Sequence, residues 1–255
     1  MATIKQIYDV INEFAPYSTQ MSYDNSGLNV GNMEKEVQKI LLTLDVTIDT
    51  AMEAVFAGCD LVISHHPVIF KGLKNLDMNN PAVILACGDV ACLSMHTNYD
   101  SAKGGMNDVL CRKLELVPSE ELAVEDGVPI GYVCQLENSV TANELAKRCK
   151  KNLGCKAVRY FNSGEDISRV AVCSGSGGSF LHNAIAKKCQ ALITGDVKHD
   201  VFIDAYNNGF TLIDAGHFYT ENIFFDDLKD KLLEKIPNLQ IAEAGSSKDF
   251  FSYEF

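Results

Sequence analysis

The feature that most limits what this chain can fold into is a repeated alternation of short apolar segments with helical ones. In the first half, residues 39–47, 60–64 and 90–95 are mostly apolar, short and bounded, as strands buried on both faces should be. Residues 48–57 between the first two have helical character and close at Gly58. The second half replays this order: strands at 169–173, 191–194 and 209–213, with helices at 180–188 and 201–207 between them. Strands spaced by helices call for crossover connections and a parallel sheet. The expected fold class is therefore α/β, with two related α/β lobes and largely parallel sheets.

Around this core the chain adds other elements. Thr3 with Gln6 and Thr141 with Glu144 are capping boxes, each opening an amphipathic helix. The first of these helices carries Ile4, Ile7, Tyr8, Ile11 and Phe14 at helical spacing. Residues 129–135 and 157–161 read as strands flanking the helix that Thr141 opens. A last helix bears Ile223, Phe224, Leu228, Leu232 and Ile236 and stops at Pro237. The acidic, glycine-containing stretch 120–127 is the expected boundary, giving an N-terminal lobe over 1–125 and a C-terminal lobe over 126–255, whose final helix packs back on the first.

Composition narrows the function classes. Of the 255 residues, 47% are hydrophobic and 22% charged, which fits a folded globular chain. No apolar run approaches the roughly 18 residues of a membrane helix, and the first residues lack a signal peptide's basic start and apolar core. The expectation is a cytoplasmic protein. Residues 1–127 hold 8 Lys and Arg against 18 Asp and Glu, a balance of −10; the rest hold 14 against 16, or −2. Such acidity repels phosphate backbones, and no dense basic cluster offsets it, so nucleic acid is not expected as a partner. The nine cysteines are scattered without a Cys-x-x-Cys pair, which points to small buried hydrophobes rather than a thiolate zinc site.

The histidines carry the chemistry. His65 and His66 directly follow the strand ending at Ser64, His96 and Asp100 follow the next, and His217 follows the strand ending near Ile213, with Glu221 four residues later. Ligands of parallel α/β sheets gather at the carboxyl ends of strands, so residues this far apart in sequence can converge. An i, i+4 pair on a helix projects from one face, which suits His217 and Glu221 as two ligands of one metal. Imidazole with carboxylate favours zinc, iron, manganese or cobalt over calcium or magnesium. His199, in Gly195-Asp-Val-Lys-His-Asp200, also follows a strand, whereas His182 lies in a helix beside Phe180 and Leu181 and reads as structural.

The motifs Tyr23-Asp-Asn-Ser-Gly-Leu-Asn-Val-Gly31, Leu44-Asp45, Ser64-His-His-Pro67, His96-Thr-Asn-Tyr-Asp100, Gly104-Gly-Met-Asn-Asp108, Gly175-Ser-Gly-Gly178, Thr194-Gly-Asp-Val-Lys-His199 and Ala215-Gly-His-Phe-Tyr-Thr-Glu221 run nearly end to end. Their order and spacing resemble the GTP cyclohydrolase I type 2 homologues, or NIF-three-like proteins. The resemblance implies two α/β lobes with a dinuclear metal site in the cleft between them. It implies two divalent ions per subunit, Zn, Fe or Mn, with His65, His66, Asp100, His217 and Glu221 as ligands. It also implies a ring-shaped homohexamer. Tyr23 stands where many members have Trp, a change expected to touch only local packing, and the short connection near Gly127 leaves no room for the domain many relatives carry between the lobes.

For function, the family name implies a hydrolase opening the imidazole ring of GTP or a related nucleotide by hydroxide attack. His96 or His199, if unliganded, would then transfer a proton. Lys103 with the amides of Gly104 and Gly105 would hold a phosphate, as would residues 175–178, though both glycine stretches equally suit tight turns. Neither is a Walker-type loop. A second class stays open: a metal-binding or metal-delivery scaffold, or a regulatory oligomer, without turnover. The sequence offers no Gly-x-Ser-x-Gly nucleophile elbow to set against that reading.

Overall fold

A computed structural model describes residues 1–254, and the chain divides into two compact units. The first comprises Met1–Lys103 and Phe224–Lys248. Its five-stranded sheet has the order Gln240–Glu243, Lys39–Thr43, Leu61–Ser64, Ala91–Ser94, Gly27–Val30. The first three junctions are parallel and the last antiparallel. Leu61–Ser64 and Ala91–Ser94 are buried at every residue, which is why they read as unbroken apolar runs rather than alternating ones. Helices Ile48–Phe56 and Pro81–Cys87 make the crossovers, and Ala51, Ala54 and Leu85 pack with Leu41, Val62 and Cys92 on one face. Helix Ile4–Phe14 forms with the expected capping box at Thr3, buries Ile4, Ile7 and Ile11, and lies against helix Phe225–Lys235.

The second unit comprises Gly104–Ile223 and Asp249–Phe255. Its six-stranded sheet runs Val117–Glu125, Val128–Val140, Ile167–Val172, Ala191–Thr194, Thr211–Asp214, Arg159–Phe161. Only the junctions among Ile167–Val172, Ala191–Thr194 and Thr211–Asp214 are parallel; the other three are antiparallel. The sheet is thus mixed, built on a parallel core of three. The repetition read from the sequence is present in the topology. Each unit has three parallel strands in chain order, and the third pairs with an antiparallel edge strand that precedes the triplet in sequence.

The boundary expected at 125 falls elsewhere. Val117–Glu125 and Val128–Val140 form one hairpin, closed by Asp126 and Gly127 at φ 49° and 79°. Two successive positive-φ residues of type Asp-Gly are what a two-residue hairpin turn demands. The acidic, glycine-containing stretch that suggested a linker is therefore a hairpin, and the units divide between Lys103 and Gly104 instead. The helix Phe225–Lys235 does belong with the first unit. Eight of the nine free cysteines are buried, Cys87 being exposed, and burial pushes the Cys92 thiol up to about 12. Among the described residues no helix is long and apolar enough to cross a membrane.

The first unit's edge strand is tied down beyond its end. Glu53, on helix Ile48–Phe56, accepts hydrogen bonds from the amides of Gly245 (2.8 Å) and Ser246 (3.0 Å) and from Ser246 Oγ (2.6 Å). Partial burial opposes ionisation of Glu53, but these donors outweigh it and hold its carboxyl below the ordinary value. A lowered folded-state value adds stability above the unfolded pKa, and that stability is lost as pH falls through the folded value. Glu53→Gln should therefore destabilise the protein by about 1 kcal/mol at neutral pH, the charge-assisted bonds being discounted for solvent. The deficit should shrink as pH falls from about 4.3 and vanish below the folded-state value, which urea unfolding at several pH values would check.

Candidate metal centre

In the first unit, the carboxyl ends of the three parallel strands supply the donors. The ladder continues past Leu61–Ser64, with His65 N donating to Thr43 O and His66 N to Leu44 O. Both histidines are thereby carried just beyond the sheet's end before Pro67 turns the chain. Ser64 Oγ donates to His66 O at 2.8 Å and fixes that turn. His65 is fully buried; its ring sits 6.0 Å from that of Phe224, which in turn meets Tyr99 edge-on. His96 follows Ala91–Ser94, and the short helix Thr97–Ser101 brings Asp100 Oδ1 to 3.5 Å from His65 Nε2.

Each ring is held by its Nδ1. His65 Nδ1 lies 2.9 Å from Met95 O, His66 Nδ1 2.7 Å from Asp45 Oδ1, and His96 Nδ1 2.9 Å from Asp24 Oδ1. A carbonyl or carboxylate at Nδ1 fixes the tautomer and leaves Nε2 as the ligating atom. One nitrogen from each of His65, His66 and His96 lies within 4.8 Å of the others, so this group could hold a metal ion. Asp24 is the most heavily engaged of the holders: Ser26 Oγ, Thr97 N and Thr97 Oγ1 also donate to it. Burial alone would raise its carboxyl, yet the bonds from His96, Thr97 and Ser26 hold it far below the usual carboxylate range.

The second unit repeats the device. His217 opens the helix His217–Glu221 directly after Thr211–Asp214, and the i, i+4 spacing brings Glu221 Oε2 to 2.8 Å from His217 Nε2. Two donors on one ion, each about 2.1 Å from it, stand roughly 3 Å apart, so this pair fits a shared cation. His217 Nδ1 lies 2.8 Å from Asp196 Oδ2. Burial works against protonating His217, but Asp196 and Glu221 outweigh it and raise its pKa to about 11, while the His217 bond lowers the Asp196 carboxyl. Asp196 takes up φ 49°, a conformation rare outside glycine, in reaching that bond. Glu221 is buried at 3% exposure, a carboxylate position that makes sense with a positive partner.

Several expected residues have other roles. The Gly104 amide donates to Asp108 Oδ2 and Gly105 caps helix Met106–Lys113, so the Gly104 amide is committed within the protein; Lys103 is exposed. The loop at 175–178 is likewise committed: Gly175 N donates to Thr220 Oγ1 and Gly177 N to Thr194 Oγ1. His199 is the first residue of helix His199–Asn207 and is exposed. His182 is exposed, 3.8 Å from Asp204, rather than packed. His96, expected to transfer a proton if unliganded, lies in the group with His65 and His66 that could hold a metal ion. Sequence reasoning did not pick out the holders Asp24, Asp45 and Asp196, although each lies within one of the quoted motifs.

Gly175 is the tightest point. It has φ +58°, and a Cβ there would meet the Glu221 carboxylate, with Cδ at 3.1 Å and His217 Nε2 at 3.3 Å. Gly209 has almost the same φ, +57°, with nothing within 4 Å. Gly175→Ala and Gly209→Ala should share a backbone strain of about 1–3 kcal/mol. Only Gly175→Ala should also displace Glu221 and lower divalent-cation retention, as metal analysis beside thermal unfolding would show.

Comparison with known proteins agrees with this picture. The model of the Duf34/NIF3 (NGG1p interacting factor 3) family matches residues 2–249. A Clostridium perfringens protein named GTP cyclohydrolase 1 type 2 homolog is 30% identical over 259 residues, covering 98% of this chain and 99% of the relative. A Helicobacter pylori protein named GTP cyclohydrolase 1 type 2 is 37% identical over 230 residues, covering 88% and 89%. A Staphylococcus aureus crystal structure superposes with a TM-score of 0.88 at 26% identity over 99% of each chain.

Proposed function

The chain belongs to the Duf34/NIF3 family, and from that premise we propose that it is a divalent-cation-dependent hydrolase acting on GTP or a related nucleotide. His65, His66, Asp100, His217 and Glu221 would hold two ions, with His96 beside them. The observation that carries this reading is the repeated holding of Nδ1: four histidines at strand ends each have that nitrogen against an oxygen, and each presents Nε2 for ligation. Surface histidines without a ligand to hold have no such need. Imidazole and carboxylate together suit Zn, Fe or Mn. The relatives' names point to a nucleotide substrate.

When bound, such ions lower the pKa of water and polarise a substrate oxygen or ring carbon. The protein's own groups do the rest. Asp45, Asp24 and Asp196 keep the imidazoles oriented, and Met95 O does so for His65. Phe224 and Tyr99 wall off His65 from solvent, which strengthens electrostatic interactions at that end. The family resemblance also supports a homohexamer, and sedimentation velocity should show a species of six chains.

The test is reconstitution with Zn, Fe or Mn followed by incubation with GTP and a panel of phosphoesters. Turnover should appear and be lost in Glu221→Gln. Asp45→Asn and Asp196→Asn should each weaken cation affinity about 10- to 100-fold, whereas His182→Ala should leave it unchanged. Cation binding with no turnover across the panel would make the protein a metal-binding scaffold instead. Failure to hold any divalent ion would overturn both.

A further inference from the structure

Next to the three-histidine group lies a pair of aromatic side chains that the metal reading does not use. Tyr23 is 63% exposed and Phe70 is 45% exposed, so neither serves the core. The rings form a run: Tyr23 to Phe70 at 6.5 Å, Phe70 to His96 edge-on at 6.1 Å, and His96 to His66 at 5.3 Å. The outer two members are open to solvent, and the inner two belong to the donor group.

The pair is also fixed in place. Asn25 Nδ2 donates to Ile69 O at 2.6 Å, pinning the backbone beside Phe70 to the segment that follows Tyr23. Asp24, adjacent to Tyr23, is the carboxylate that holds His96. Asp24, which orients His96, and Asn25, which pins the backbone beside Phe70, are neighbours directly after Tyr23, so one segment ties the ledge to the imidazoles. The loop after Phe70 carries Lys71 and Lys74 against Asp77, a local positive excess in a chain of net charge −12. Exposed aromatic rings with basic residues beside them are how proteins receive a base and its phosphates.

Resting on the hydrolase reading above, we propose that Tyr23 and Phe70 form a stacking ledge that positions the planar base of a nucleotide beside the His66–His96 donors. They are substrate-positioning residues. A heteroaromatic ring lying against Phe70 is one ring spacing from His96, whereas a substrate without such a ring gains nothing from the ledge.

The chain has no Trp, so Tyr23→Trp makes a unique fluorescent reporter that conserves the stacking face. In metal-loaded Tyr23→Trp protein, GTP and GMP should quench the indole saturably and tripolyphosphate should not. Adding Phe70→Ala should weaken GTP binding roughly five- to hundredfold, Phe70→Tyr should restore it, and cation content should be equal in all three. Equal affinity in the Phe70→Ala and parent proteins would overturn the proposal. So would metal-loaded parent that binds no nucleotide at millimolar concentration, or a Phe70→Ala effect on sedimentation with nucleotide affinity intact, which would mark a contact between copies. A parent protein that binds GTP through Phe70 yet holds no cation would sink the hydrolase reading and leave the ledge standing.

Discussion

The candidate chemistry depends on one constraint: an imidazole is a directed ligand only when its other nitrogen is spoken for. His66, His96 and His217 each give Nδ1 to a carboxylate, and His65 gives it to a backbone carbonyl. His65 is fully enclosed, and a neutral carbonyl there avoids placing a second charge in a low-dielectric site. The other three rings are part-exposed; Asp45 and Asp196 reach solvent, whereas Asp24 is enclosed and takes further donors from Ser26 and Thr97.

Strand topology turns that local device into a site. A parallel triplet delivers three carboxyl ends to one edge, so residues 45, 65, 66 and 96 meet in the first unit without long loops. The second unit uses the same triplet but spends its positions differently. Where the first follows its middle strand with two histidines, the second follows it with Gly195 and Asp196. The glycine lets the backbone approach residues 216 and 217, and the aspartate reaches His217. One architecture thus yields a histidine-rich set in one unit and a carboxylate-rich set in the other.

Much of this was legible in the sequence. Apolar strands buried on both faces announce themselves as short uninterrupted runs, and Thr3 and Thr141 marked their helices because capping is local chemistry. The histidines stood out because they follow such strands directly. The edge strands Gly27–Val30 and Gln240–Glu243 were not legible: each is four residues long and is stabilised by pairing rather than by its own pattern. The hairpin around Asp126 and Gly127 failed for another reason, since Asp-Gly serves linkers and two-residue turns alike and only the partner strand decides. Asp24, Asp45 and Asp196 are not legible as holders because an aspartate in a loop or just after a strand is ordinarily a solvated residue. Its role appears only when a ring nitrogen lies within hydrogen-bond reach.

The carboxylate holders raise a physical difficulty that the structure answers. Burial favours the neutral acid, and a protonated aspartate would cease to orient its histidine. Asp24 resolves this by adding donors to the His96 bond: a backbone amide and two hydroxyls satisfy Oδ2 while Oδ1 stays with His96. The carboxylate is therefore held ionised first by His96 and then by the uncharged donors of Thr97 and Ser26, all of which belong to the fold. It does not depend on a cation arriving, so the imidazole is oriented before any ligand binds, and the ordering entropy is met during folding rather than at the site. Asp196 lacks such support beyond Ser176, at 3.4 Å, and relies on His217 itself. By that measure the first unit's set is the more rigid of the two, and the second unit's pair is the one whose geometry responds more to what it binds.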